Sequence, residues 1–477
     1  MDQLHREFSS LSERYLSTHS DLHIKAFIEV RKSLYSQYRN CIDGQSALWN
    51  HVCENQGFLP EDKFQQRNFF ANWVKPALQK TKKLAVFFVD ALRYELGHEL
   101  VEELQTICGK KPKVLNMLAE LPTITAVGMN ALIPVVENSK LTPIYDKKRF
   151  ITGFQGGQRQ VKTPDEREKT LRDHAGVDTS WIRLEDFLSF SERKLKKFTS
   201  AELLVVTALD IDKMGESDAL KYGLNYFEIG IARLKTAVMK LQESGYDEFI
   251  ITADHGFLLG DESLESGKAA KLESVDRRYA FGTERNSENL VSVDAHQLNY
   301  DSAAHNGDNW FTFERSTHLL TNQSGTSFYH GGNTLQERLV PVISFSLTQA
   351  AYDSTGTFDL NIQKMPGVMG FHKISIHVKS NVQEMFSLPH VEVQLVSDQE
   401  GVVEIEIGDI VGAQRMGDVL TLPVDQTSEL YFKLKGSRSK AQIILKATQK
   451  GTKLENSSYG EYFEVENNAV GFVQDDP

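Results

Sequence analysis

The stretch Leu84-Ala85-Val86-Phe87-Phe88-Val89-Asp90 decides the fold, and Ala91-Leu92-Arg93-Tyr94-Glu95 carries it into a helix-forming run. Six consecutive apolar residues, aromatic and β-branched among them, predict a strand buried on both faces, as strands of parallel sheets are. Open α/β sheets bind their ligands just beyond the carboxyl ends of such strands. Asp90 stands there. A lone strand-end carboxylate can equally cap the next helix, so its role depends on what the rest of the chain brings to the same edge.

Working outward, the buried runs Leu84–Val89, Val114–Leu118, Leu203–Ala208, Phe249–Ala253 and Leu339–Phe345 alternate with amphipathic helices from about residue 80 to 350. That rhythm predicts an α/β domain with a largely parallel sheet and helices on its faces. The clearest helix carries Phe227, Ile231, Leu234, Val238 and Leu241 on one face and stops at Gly245, a C-cap residue. Residues 1–79 read as a helical N-terminal segment. Leu4, Phe8, Leu11 and Tyr15 at 4-3-4 spacing, and a second cluster at Phe64, Phe69, Phe70, Trp73 and Val74, read as packing stripes. Residues 136–200 are polar, include Arg193-Lys194-Leu195-Lys196-Lys197, and read as an insertion or cap over the sheet's ligand edge. Residues 260–328 form a second irregular region. Residues 351–477 show short alternating strands between turn signals and predict a C-terminal all-β, sandwich-like domain.

A chain of 477 residues accommodates two or three domains. It has no run of eighteen apolar residues, so no membrane partner is expected. Its opening, Met1-Asp2-Gln3-Leu4-His5-Arg6, lacks the features of a secretory signal. Cys41, Cys53 and Cys108 are sparse and without metal spacing, which fits a reducing cytoplasm. The net charge of −12 argues against a surface coated for phosphate, though not against local basic patches.

Four further sites stand at or near strand ends. In Leu121-Pro122-Thr123-Ile124-Thr125-Ala126, a hydroxyl at a loop-to-helix junction can attack phosphorus while the helix N-terminus stabilises the phosphoryl charge. Thr123 and Thr125 are both candidates. Leu209-Asp210-Ile211-Asp212-Lys213-Met214-Gly215-Glu216 puts Asp212 and Glu216 on one helical face, where like charges repel unless a cation lies between them. Asp210 competes with Asp212 for that role. In Ile250-Ile251-Thr252-Ala253-Asp254-His255-Gly256, a buried strand runs into an Asp-His pair that can reach one divalent ion. His330 precedes Gly331-Gly332 and a helix leading to Leu339. Mixed oxygen and imidazole groups suit Zn²⁺ or Mn²⁺ better than Mg²⁺ or Ca²⁺. Asp90, Thr125, Asp212, Glu216, Asp254, His255 and His330 together exceed the needs of one ion, which makes two ions bridged at a phosphate the natural alternative.

The order of these motifs resembles the alkaline phosphatase superfamily and, within it, the PglZ domain of BREX-type phage-defence systems in bacteria. Asp-Ala-Leu-Arg-Tyr-Glu at 90–95, Leu-Pro-Thr-Ile-Thr-Ala-Val-Gly-Met at 121–129, Ala-Asp-His-Gly-Phe at 253–257 and His-Gly-Gly-Asn-Thr-Leu-Gln-Glu at 330–337 carry the likeness over roughly residues 80 to 350. It implies an alkaline-phosphatase-like central sheet and a metal-dependent phosphodiesterase or nuclease with a threonine nucleophile and two divalent ions, Zn²⁺ with Mn²⁺ as the alternative. Asp90, Thr125, Asp254 and His255 match the site that activates the nucleophile, and Thr125, the second threonine of Pro-Thr-x-Thr, matches the nucleophile itself. Asp212 and His330 match the other metal site, with Glu216 where the phosphodiesterase branch usually has His. Arg93 and Lys213 are then expected to contact the phosphate or leaving group. The implied partners are a nucleic acid or nucleotide phosphodiester and other phage-defence proteins, and the chain would be the C-terminal portion of such a protein or a short relative. The alternatives are a phosphomonoesterase or phosphomutase of the same superfamily, and a non-catalytic binding component of the defence complex.

Overall fold

The structure, a computed structural model, describes the chain outside residues 19–22, 109–110, 138, 210, 212–224, 261–273, 286–289, 302–308, 322–327, 348–356, 369–370, 381–389, 400–401, 417, 449–451 and 468–477. The chain divides into two units, Met1–Leu347 and Thr348–Pro477. In chain order the first opens with α1 (Asp2–Thr18), α2 (His23–Gln56) and α3 (Lys75–Leu78), then β1 (Leu84–Val89), α4 (Tyr94–Cys108), β2 (Lys113–Leu118) and α5 (Thr125–Ala131). It continues through β3 (Thr142–Tyr145), β4 (Ile151–Gly156), β5 (Arg159–Val161), α6 (Pro164–Ala175), β6 (Thr179–Arg183), α7 (Leu184–Ser189), α8 (Glu192–Thr199) and β7 (Leu203–Ala208). After α9 (Asn225–Glu243) and β8 (Glu248–Ala253) come the short strands β9 (Leu258–Leu259), β10 (Ser274–Val275), β11 (Tyr279–Gly282), β12 (Leu290–Asp294), β13 (Trp310–Glu314) and β14 (Phe328–Tyr329). The helix α10 (Leu335–Arg338) and β15 (Leu339–Ser346) close the unit.

All six residues of β1 are buried, as their composition requires. Fully burying each large apolar side chain here contributes roughly 1.5–3 kcal/mol. The sheet runs in the order β2-β15-β8-β1-β7-β6. The parallel register pairs Val89 with Ala208 on one side and with Ala253 on the other, so the next residues, Asp90 and Asp254, emerge side by side.

One strand is reversed. β15 is antiparallel to both β8 and β2, pairing Leu339 with Leu118. This reversal matters for the site, because β15 therefore begins at the edge where β1 and β8 end. The segment before it, which carries His330, arrives at that edge too. In a parallel β15 it would lie at the opposite end of the sheet.

Part of the stretch 136–200, read as an insertion or cap, belongs to the main sheet. Thr179–Arg183 pairs in parallel with β7 and completes the main sheet. It was hidden because an edge strand needs no continuous apolar run. The basic run 193–197 lies in α8, and Lys83 Nζ donates to the Thr199 carbonyl at the end of that helix (2.7 Å). Lys83 immediately precedes β1, so the end of α8 sits at the opposite end of the sheet from Asp90. The irregular region after residue 260 contains a four-stranded antiparallel sheet, β10-β11-β13-β12. No helix among the described residues is long and apolar enough to cross a membrane.

Among its described residues the second unit is all-β. Val403–Val411, Thr427–Gly436, Phe371–Ser380, Thr357–Val368 and Lys453–Glu455 form one sheet in that order, and a four-stranded sheet carries His390–Ser397 next to Ile443–Ala447. Alternate residues, among them Ile374, Ile376, Val391, Val393 and Phe432, fill one core between strands of both sheets.

Candidate metal centre and nucleophile

The in-register ends of β1 and β8 place two carboxylates together in a buried position. One ligand atom from each of Asp90, Asp254 and His255 lies within 4.8 Å of the others. Asp254 is held firmly: its Oδ1 accepts from the Ala91 N–H (3.0 Å) and from the His255 N–H (2.9 Å). Ala91 takes a left-handed backbone conformation (φ 60°) at this point, a strained state of the kind retained where a site needs it. The other oxygen, Oδ2, is buried and makes no hydrogen bond. Burial pushes the Asp254 carboxyl up to about 6, although the two backbone N–H groups and His330 oppose the shift.

His255 Nδ1–H donates to the Gly256 carbonyl (3.0 Å), which turns Nε2 toward the carboxylates, 3.4 Å from Asp254 Oδ2 and 3.6 Å from Asp90 Oδ1. A backbone acceptor on the far nitrogen is how metal-binding histidines are commonly oriented. Thr125, the first residue of α5, brings Oγ1 to 3.2 Å from His255 Nε2 and 3.5 Å from Asp90 Oδ1.

The two threonines differ in what their hydroxyls meet. Thr123 is fully buried, and its hydroxyl bridges the His330 loop, accepting from the Gly331 N–H (3.1 Å) and donating to the Gly332 carbonyl (2.8 Å). Thr123 ties two loops together; Thr125 faces the carboxylates. His330 stacks on the His255 ring, centroids 4.3 Å apart, with Nδ1 against the Thr123 carbonyl (3.2 Å).

A divalent ion fits these residues. Two adjacent buried carboxylates repel unless a proton or cation lies between them. Here one of their oxygens is unsatisfied and an imidazole nitrogen faces them. Carboxylate and imidazole donors together suit a divalent ion.

Arg93 pairs with carboxylates other than those of this group. Its guanidinium is buried, paired with Glu95 (2.9 Å) and Asp2 (3.3 Å), and lies over the Phe257 ring. The physical reason is burial: a cation without solvent takes the nearest carboxylates, and α1 supplies one of them. Asp210, Asp212, Lys213 and Glu216 lie outside the described residues.

Supporting residues missed by the sequence reading come from polar positions inside apolar clusters. Gln66 is fully buried, donates to the carbonyls of Ala253 (3.0 Å) and Asp254 (2.8 Å), and accepts from the Glu120 N–H (2.9 Å). It pins the end of β8 to the loop that leads to Thr125. Glu337 accepts from the Gly332 N–H (2.7 Å), the Thr334 hydroxyl (2.7 Å) and Arg278 Nη2 (3.0 Å), fixing the loop behind His330. A Ser/Thr-x-x-Glu spacing at Thr334–Glu337 was the available signal.

Gly128 shows how tightly α5 is set. A Cβ there would stand 2.3 Å from the Asp254 carbonyl oxygen, which is backbone and cannot swing aside. Gly128→Ala is therefore expected to push α5 off β8, displace Thr125, and lower turnover by about 10²-fold. Steady-state rates in protein with unchanged circular dichroism check this.

Residues 69–345 match the family described as the BREX system PglZ alkaline phosphatase-like domain. The chain is 23% identical over 288 residues to the alkaline phosphatase-like protein PglZ of Bacillus cereus (strain H3081.97), covering 59% of this chain and 32% of that protein. It is 25% identical over 369 residues to the alkaline phosphatase-like protein BrxZ of Escherichia coli O9:H4 (strain HS), covering 73% of this chain and 40% of that protein. The chain thus matches less than half the length of either relative. Among solved structures it is similar to phosphonoacetate hydrolase from Sinorhizobium meliloti 1021, at 14% identity and a TM-score of 0.36, over 55% of this chain and 89% of that one. The resemblance read from the four motifs is borne out, and so is the α/β, alkaline-phosphatase-like class. With the match spanning more than half of its residues, the chain belongs to the BREX system PglZ alkaline phosphatase-like domain family.

Proposed function

We propose that this chain carries a divalent-metal-dependent phosphoric ester hydrolase centre, a phosphodiesterase acting on a nucleic acid or nucleotide diester within a phage-defence system. The observation that carries the proposal is the buried Asp90–Asp254–His255 group with Thr125 Oγ1 3.2 Å from the imidazole. Asp90, Asp254, His255 and Thr125 would hold one ion, whose charge lowers the hydroxyl pKa and offsets the charge developing on phosphorus. Thr125 Oγ1 forms the new bond to phosphorus while the leaving oxygen departs in line. Water then cleaves the phosphoryl-threonine and restores the hydroxyl. The N-terminus of α5, where Thr125 stands, would stabilise charge on the phosphoryl oxygens.

Asp212, Glu216 and His330 would hold a second ion, with Zn²⁺ preferred and Mn²⁺ next. Other proteins of the defence system are the partners, in the cytoplasm. The test compares bis-p-nitrophenyl phosphate, p-nitrophenyl phosphate and plasmid DNA with Zn²⁺ or Mn²⁺ added. Faster diester than monoester turnover supports the proposal. Preference for the monoester would make the protein a phosphatase instead, and folded protein inert on all three with either metal would sink the hydrolase.

A further inference from the structure

Arg167 lies in the stretch 136–200, and neither the motifs nor the mechanism above use it. Its position is set by the start of α6. Thr163 caps that helix, Pro164 occupies its first turn, and Glu166 reaches back to the backbone N–H groups of Lys162 (2.8 Å) and Thr163 (2.9 Å). Glu166 is thus committed to its own helix end. Glu168, the next acid, pairs with Arg172. Among the described residues Arg167 makes no ion pair.

Its Nη1 instead donates to Asn130 Oδ1 (3.2 Å), a neutral acceptor five residues after Thr125 on the same short helix. Asn130 is itself fully buried, and its Nδ2 is anchored to the Ala126 carbonyl (2.7 Å). Arg167 Nε is buried and makes no hydrogen bond. The residue as a whole is half-buried, so its surroundings are not sealed. The carboxylates acting most strongly on its charge are Asp254 and then Asp90, ahead of adjacent Glu166, and they oppose the lowering of its pKa by burial. A guanidinium is therefore held beside the nucleophile's helix, within the field of the metal-binding carboxylates, with donor capacity to spare.

We propose that Arg167 is a substrate-contacting catalytic residue that donates to a non-bridging oxygen of the phosphoryl group transferred at Thr125, with Asn130 positioning its guanidinium. The inference rests on the hydrolase reading above. Guanidinium groups match phosphate oxygens in geometry and charge, and in a phosphoryl transfer their value lies in preorganised charge at the equatorial oxygens.

The test is calorimetric binding of inorganic phosphate to the full chain loaded with Zn²⁺, for wild type, Arg167→Ala, Arg167→Lys and Asn130→Ala. Metal content and unfolding temperature are recorded for each. A lost charge-assisted hydrogen bond predicts phosphate binding at least about tenfold weaker in Arg167→Ala at unchanged metal content. Arg167→Lys is expected to recover part of the loss, and Asn130→Ala to show a smaller one. Equal phosphate affinity in wild type and Arg167→Ala, or no phosphate binding by wild type, overturns the assignment. Ester turnover measured on the same wild-type preparation separates the two ideas. Turnover with equal phosphate affinities leaves the hydrolase standing and removes Arg167 from it, whereas absent turnover removes the hydrolase whatever the affinities show.

Discussion

Thr125→Ala is expected to lower phosphoester hydrolysis by at least about 10³-fold, the scale on which removing a nucleophile acts. The fold and a bound ion should survive the change, because Asp90, Asp254 and His255 remain and α5 keeps its packing on β8. Thr123→Ala should behave differently. That hydroxyl spans Gly331 and Gly332, so its loss loosens the His330 loop and lowers the unfolding temperature along with the rate. Initial rates on bis-p-nitrophenyl phosphate, with metal content and melting curves for both variants, distinguish a nucleophile from a strut. If Thr125→Ala kept more than a tenth of the wild-type rate, another group would have to be the nucleophile.

Glu337→Ala should produce the largest loss of stability. Glu337 and Arg278 are both buried without solvent, and the carboxylate also serves the Gly332 N–H and the Thr334 hydroxyl. Removing one partner leaves an uncompensated buried cation, at a cost of about 3–5 kcal/mol. That is a large share of the roughly 5–15 kcal/mol by which native domains are stable. All four tryptophans, Trp49, Trp73, Trp181 and Trp310, lie in the first unit. Intrinsic fluorescence in urea therefore follows the unit that holds the site. The dependence on pH has a definite sign. Burial opposes the charge on Glu337, but Arg278 and the hydrogen bonds outweigh it and hold the carboxyl below its ordinary 4.5. A depressed carboxyl contributes its stability above the unfolded value and loses it as the pH falls through the folded one. The gap between wild type and Glu337→Gln should be full above pH 4.5 and shrink at lower pH. A gap below about 0.5 kcal/mol at neutral pH would show that the pair adds nothing.

The parts of the site that could be read from sequence are those set by strand ends. Leu84–Val89 and Phe249–Ala253 announce themselves by continuous burial, and a residue just after such a strand can only stand at the sheet edge. Asp90, Asp254 and His255 follow from that, whereas the loop-to-helix junction offers Thr123 and Thr125 alike and only the family resemblance singles out Thr125. The direction of β15 could not be read, because Leu339–Phe345 is buried on both faces in either orientation and its pattern carries no sign. β6 escaped notice because Thr-Ser-Trp-Ile-Arg at a sheet edge is only partly buried. The pairing of Arg93 with Asp2 could not be read, since the two stand ninety-one residues apart in the chain and no local spacing links them. Gln66 and Arg167 look like ordinary polar residues until the tertiary fold shows what they face.

The central claim is that hydrolysis at Thr125 depends on a divalent ion held by Asp90, Asp254 and His255. The most direct measurement is the rate of bis-p-nitrophenyl phosphate hydrolysis by chelator-stripped protein as Zn²⁺ or Mn²⁺ is titrated back. No turnover without metal, and a rate that rises to a plateau at a fixed number of ions per chain, is the expected result. Full turnover by metal-free protein, or no turnover by folded protein saturated with either metal, would contradict it.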